Sequence, residues 1–166
     1  MERQVPVMRQ KSVLFVCLGN ICRSPMAEAV FIDLATKRGV REKLEIDSCG
    51  TGGWHAGEGA DRRTVAVCRR RGVPISHVAR QVEAADFRTY DLIVAMDRSN
   101  MANLRAVGCP DDKLRLMMEF ARRDGADAGA ASEVPDPYYD RDEMFDRVFD
   151  MLVPACEGLL AEMEGK

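Results

Sequence analysis

The sequence predicts an α/β fold: a small doubly wound sheet of four parallel strands in the order 2-1-3-4, with helices on both faces. Three observations lead there. Two all-apolar runs, Val13-Leu14-Phe15-Val16-Cys17 and Leu92-Ile93-Val94-Ala95-Met96, are rich in strand formers and read as central strands buried on both sides. Two alternating segments, Leu44-Glu45-Ile46-Asp47 and Lys113-Leu114-Arg115-Leu116, read as half-covered edges. Helical patterns lie between them, and strands that alternate with helices join by right-handed crossovers into a parallel sheet.

Each helix has its own signal. After the first strand, Ala27, Val30, Phe31 and Leu34 recur at helical spacing. Ser24 is placed as its N-cap, Pro25 at the first helical position and Gly39 at its stop. A second helix is predicted from Asp61 to Arg71, with Val65 and Cys68 inward and Gly72 behind it. Arg62, Arg63 and Arg69-Arg70-Arg71 on this helix read as a solvated basic face. A third helix follows Asp97 and carries Met101 and Leu104. The last runs through Met144, Phe145, Val148, Phe149, Leu152, Cys156, Leu159, Leu160 and Met163, and Pro154 within it should kink or split it. Asp124 to Ser132, small and polar, reads as a loop.

The 166 residues fit one domain, expected over residues 11–166 with residues 1–10 as an N-terminal extension. Charge is nearly balanced, 24 basic residues against 27 acidic, so no nucleic-acid footprint is expected. No run of 18 apolar residues offers a membrane span, and Met1 to Ser12 lacks the apolar stretch of a signal peptide. Six cysteines without such a signal point to free thiols in a reducing, cytoplasmic setting.

In doubly wound sheets, ligands bind beyond the carboxyl ends of the strands where the order reverses. Here that is the segment just after Cys17. Cys17-Leu18-Gly19-Asn20-Ile21-Cys22-Arg23-Ser24-Pro25 is a strand end, a tight loop and a helix start. Such a loop gathers backbone N–H groups around an anion, and the helix dipole adds positive charge. Gly19 permits close approach, Asn20 tolerates a left-handed conformation, and Arg23 offers a planar fork for two phosphate oxygens. The field that binds phosphate also favours a thiolate, which makes Cys17 a candidate nucleophile for phosphoryl transfer. No Gly-Lys-Ser/Thr closes the loop, so a nucleotide P-loop is excluded. Cys17 and Cys22 lack a second close pair, so a zinc site is not expected. A phenolate leaving group needs a proton donor at neutral pH. Asp136, in a loop stiffened by Pro137, is the candidate among several nearby acids.

From Cys17 to Glu28 (CLGNICRSPMAE) the chain resembles the signature of the low-molecular-weight protein tyrosine phosphatases. The resemblance continues through Ser48–His55 (SCGTGGWH), His77–Gln81 (HVARQ), Tyr90–Asp97 (YDLIVAMD) and Asp136–Tyr139 (DPYY). It implies a metal- and cofactor-independent enzyme that hydrolyses phosphotyrosine in protein partners and releases inorganic phosphate. Cys17 would be the nucleophile, Arg23 the transition-state clamp and Asp136 the acid and then base. Leu18, Gly19, Asn20, Ile21, Cys22, Ser24, Ser48 and His77 would form or support the phosphate loop. Leu18, Trp54, Tyr138 and Tyr139 would wall the pocket. Leu18 stands where many members have Thr, which bears on substrate preference. Cys22 would be a redox partner: a loop curled around one anion brings its ends together, and the resemblance points the same way.

Three alternatives compete. An arsenate reductase on this fold needs two relay thiols after the second helix, and Gly72 to Asn100 contains no cysteine. A phosphoarginine phosphatase would carry Thr where this chain has Ile21, and the bulkier apolar side chain favours a phenyl ester. A module that binds phosphotyrosine without cleaving it has no need of Cys17, Arg23 and Asp136 together.

Overall fold

The computed structural model describes residues 8–121 and 132–165. Strands β1 (Ser12–Cys17), β2 (Glu45–Gly50), β3 (Leu92–Ala95) and β4 (Leu114–Leu116) form one parallel sheet in the order β2-β1-β3-β4. The predicted loop at Asp124 to Ser132 lies, except for Ser132, outside the described residues.

Strand β1 is buried along its whole length, and its alternation divides the core. Val13 and Phe15 face α1 (Arg23–Lys37), α2 (Arg62–Arg70) and α5 (Asp142–Met163), in a core with Phe31, Met26, Phe145 and Leu152. Leu14 and Val16 face the other way, with Ile93, Phe87, Tyr90 and Leu104, beneath α3 (Asp86–Thr89) and α4 (Arg98–Ala106). Helix α4 begins on a reciprocal capping box between Asp97 and Asn100, as its position after Asp97 predicts. Gly39 and Gly72 follow α1 and α2 with positive φ, the backbone that stops a helix.

Several expectations are corrected. Helix α1 starts at Arg23 with Cys22 as N-cap, so Ser24 does not cap it and Pro25 stands at the third helical position. The Ser24 hydroxyl is turned inward to other partners, Cys17, Asn20 and the Cys49 carbonyl. Strand β2 runs on to Gly50, beyond its alternating stretch, because Ser48, Cys49 and Gly50 pair with Phe15, Val16 and Cys17. On α2 the buried face is Thr64, Val67 and Cys68, with Val65 only half-buried. Arg62, Arg69, Arg70 and the following Arg71 are exposed, as expected, with Arg70 and Arg71 paired to Asp146 and Asp150 of α5; Arg63 departs from that face, half-buried and bonded to Asp61. Pro154 does not split α5, which is one helix of 22 residues. The carbonyl that Pro154 leaves without an N–H donor belongs to exposed Asp150, where water can satisfy it.

Candidate active site

The chain leaves β1 at Cys17 and turns at once, but pairing with the next strand persists. The Cys17 and Leu18 carbonyls accept from Thr51 and Gly52 N–H, both at 2.9 Å. This brings the backbones so close that a Cβ on Gly50 would stand 2.7 Å from the Leu18 carbonyl oxygen. At Gly19 the space is tight in a milder way: a Cβ there would stand 3.1 Å from the His55 ring, which would have to shift slightly. Asn20 adopts φ +59°, the left-handed conformation expected of it.

That conformation is held from every side. Asn20 Nδ2 donates to Ser24 Oγ at 2.8 Å and to Ser48 Oγ at 3.0 Å. Its Oδ1 accepts from Arg80 N–H at 2.9 Å, and its carbonyl accepts from His77 Nε2 at 2.7 Å. The Ser48 hydroxyl in turn donates to Glu28 Oε1 at 2.6 Å. Ser24 Oγ, already an acceptor from Asn20, lies 2.9 Å from Cys17 Sγ and 3.4 Å from the Cys49 carbonyl. Its single proton can point to either of them, so the hydroxyl is placed to donate to a Cys17 thiolate.

Arg23 is buried. Its Nη1 donates to Asp97 Oδ2 at 2.7 Å and to the Val134 carbonyl at 3.0 Å. Its Nη2 stands 3.8 Å from Asp136 Oδ2. Burial works against this charge, but the Cys17 sulfur, the Asp97 hydrogen bond and Asp136 outweigh it and hold the guanidinium pKa above its ordinary value. Asp136 is anchored by its other oxygen, which accepts from Tyr138 N–H at 3.1 Å.

Cys17, Arg23 and Asp136 face one cavity of about 430 Å³, lined also by Gly19, Ile21 and Cys22, with the more exposed Leu18 beside them. Trp54, His55, Asp136, Tyr138 and Tyr139 complete its walls and rim. Trp54 is 71% exposed and Tyr139 95%, so both stand at the mouth, while Tyr138 is half-buried and braced. Arg63 donates to the Tyr138 carbonyl at 3.0 Å and lies over its ring and that of Phe145. Cys22 is buried, and burial, with the Asp61 carboxylate adding to it, pushes its thiol well above the ordinary value. Asn20, Ser24, Ser48 and His77 lie behind the loop rather than in the cavity.

Several residues of the site escaped the sequence reading. Asp97 was legible only as the residue before the third helix, not as the partner of Arg23. His55 lines the cavity with its Nδ1 2.9 Å from Glu58, and Glu28, Arg80 and Val134 hold the loop from other segments. Asp97, His55, Glu28 and Arg80 lie within the segments that carry the family resemblance, but their roles do not show there, since each meets its partner only in the folded chain.

Comparison with known proteins agrees with this geometry. Residues 12–166 match the family model described as low molecular weight phosphotyrosine protein phosphatase. A low molecular weight protein-tyrosine-phosphatase of Streptomyces coelicolor is 44% identical over 161 residues, covering 93% of this chain and 96% of that protein. A low molecular weight phosphotyrosine protein phosphatase of Schizosaccharomyces pombe is 42% identical, covering 89% and 94%. A crystal structure of a protein tyrosine phosphatase from Entamoeba histolytica superposes with a TM-score of 0.86 at 40% identity, covering 93% and 97%. With family match, relatives and fold all agreeing over nearly the full length, the chain belongs to the low molecular weight phosphotyrosine protein phosphatases.

Proposed function

We propose that this protein hydrolyses phosphotyrosine in cytoplasmic phosphoproteins, with Cys17 as nucleophile, Arg23 as transition-state clamp and Asp136 as acid and base. The observation that carries this reading is the meeting of Cys17, Arg23 and Asp136 in one cavity, with aromatic side chains at its mouth. The phosphoryl group sits on the loop amides and the first turn of α1, which supply fixed positive dipoles. Because Arg23 Nη1 is occupied by Asp97 and Val134, its remaining N–H groups are left for phosphate oxygens. The Cys17 thiolate attacks phosphorus, the bond to the phenolic oxygen breaks, and Asp136 gives that oxygen its proton. The resulting cysteinyl-phosphate is opened by water, whose proton returns to Asp136, releasing inorganic phosphate and the thiolate. The Ser24 proton stabilises the sulfur as it departs. No step needs a metal or cofactor, since Arg23 and the loop supply the charge.

Trp54 and Tyr138 offer flat apolar faces that suit a phenyl ring. Apolar Ile21 in the cavity lining favours that ring over the polar, planar guanidinium of phosphoarginine.

Hydrolysis of para-nitrophenyl phosphate and a phosphotyrosine peptide, without added metal, tests the reading. Cys17→Ser should abolish turnover, and residual activity within about tenfold of wild type would refute the thiolate step. Asp136→Ala should lower kcat by about 10²–10⁴ for phenyl phosphate. The deficit should shrink as the leaving group becomes more acidic, and an equal deficit across leaving groups would remove Asp136 from its role.

A further inference from the structure

The segment 77–82 touches no part of the cavity, yet it ties together the two loops that build it. Toward the phosphate loop, His77 Nε2 donates to the Asn20 carbonyl, and Arg80 N–H donates to the Asn20 side chain. Toward the loop that carries Trp54 and His55, Ala79 N–H donates to the Glu58 carbonyl at 2.8 Å, and its own carbonyl accepts from Gly57 N–H at 2.9 Å. Gln81 Nε2 donates to the Thr51 carbonyl at 3.1 Å. Between these contacts the segment pairs with the end of β2: Gly50 N–H bonds the Arg80 carbonyl and Val82 N–H bonds the Gly50 carbonyl.

A strap of backbone bonds this short needs its own anchor. The Arg80 side chain supplies one by reaching away from the site. Its Nε donates to Asp47 Oδ2 on β2, and Nη1 and Nη2 grip both oxygens of Asp86 on α3, all at 3.0 Å. Asp86 is buried and further fixed by Glu83 N–H at 2.7 Å. A two-pronged bond from guanidinium to carboxylate sets orientation as well as distance. The same residue therefore holds Asn20 by its backbone and the sheet by its side chain.

We propose that Arg80 is a positioning residue for both active-site loops, acting through Asn20 and through the Gly57–Glu58 end of the Trp54 loop. It rests on the reading of Cys17 as nucleophile for its kinetic consequence, but not for its structural one. Loss of the clamp leaves every group that touches substrate in place and loosens the frame that aims them.

Arg80→Gln, Arg80→Lys and Asp47→Asn test this. With para-nitrophenyl phosphate, well below the melting temperature of each variant, Arg80→Gln should lower kcat roughly 10- to 100-fold, the scale of a misplaced reactive geometry. Inhibition by inorganic phosphate should weaken in parallel, because the loop amides bind both. Arg80→Lys keeps one charge without the fork and should fall between Gln and wild type. Asp47→Asn, which disturbs one half-exposed contact, should cost about fivefold and serves if Arg80→Gln fails to fold. Trp54 is the single tryptophan of the chain, so its fluorescence anisotropy reads the rim directly and should drop in Arg80→Gln. Amide exchange at position 80 should accelerate as well. Wild-type kinetics, phosphate inhibition and Trp54 anisotropy in a variant with only a lower melting temperature would overturn the proposal. A wild-type protein that fails to cleave aryl phosphates would sink the Cys17 reading instead, while anisotropy and amide exchange would still decide the role of Arg80.

Discussion

Replacing Asn20 separates two contributions that the structure superimposes. Asn20→Ala removes three hydrogen bonds: those to Ser24 Oγ and Ser48 Oγ and the one accepted from Arg80 N–H. At roughly 0.5–1.5 kcal/mol net for each, this is about 1.5–4.5 kcal/mol. The φ of +59° adds a second cost, since an alanine held in the left-handed region loses about 1–2 kcal/mol. The sum, about 2.5–6.5 kcal/mol, is a large part of the 5–15 kcal/mol that is usual for a whole domain. Asn20→Gly loses the same hydrogen bonds but adopts the conformation freely, so it should be more stable than Asn20→Ala by about 1 kcal/mol. Urea unfolding followed by circular dichroism measures both. A loss under about 1 kcal/mol for Asn20→Ala, or a glycine variant less stable than the alanine one, would refute the account of this loop.

Three further outcomes follow from the same geometry. Arg23→Lys keeps charge but loses the fork, so kcat should fall steeply together with kcat/KM, whereas a rise in KM alone would make Arg23 an anchor only. After peroxide treatment, dithiothreitol should restore wild type but restore Cys22→Ser much less, and bound phosphate should slow inactivation of both. Equal recovery would leave Cys22 as a packing residue. Burial works against the Asp61 charge, but the Arg63 hydrogen bonds outweigh it and hold the carboxyl below its ordinary range. Its contribution to stability is therefore present above about pH 4 and lost as the pH falls through the folded-state value. Asp61→Asn retains a capping side chain without the charge, so its stability deficit at pH 7 should fade toward pH 3, and a constant deficit would contradict the pairing.

What could be read from the sequence follows the range of the forces involved. Strands β1 and β3 announce themselves because both their faces are buried, and the switch point between them locates the site before any coordinate is known. The loop from Cys17 to Arg23 was legible because its chemistry is contiguous. The end of β2 was not, because Ser48, Cys49 and Gly50 are held by pairing with β1 rather than by an apolar alternation of their own. Ser24 misled for an instructive reason. Its residue type suits a helix cap, but Asn20 and the Cys17 sulfur compete for the same hydroxyl and win. Helix α3 has only four residues, too few to show a period. Asp97, His55, Glu28 and Arg80 fall inside recognisable segments, yet what each of them bonds is set by the folded chain and not by its neighbours in sequence.

The sheet has two open edges, β2 and β4, and open edges invite strands from other molecules. This fold gives such a strand little to hold. Strand β4 is three residues long, and Arg115 at its centre is engaged by Glu119 and Glu162. Strand β2 carries Glu45 and Asp47 near its start, and its last residue, Gly50, is already bridged to Gln81. The strap that holds Asn20 therefore also covers the end of the longer edge, at Gly50. A protein that keeps Leu18, Trp54 and Tyr139 bare around its cavity thus guards its sheet edges by three separate means: a short β4, charge at the start of β2, and the 77–82 segment at its end.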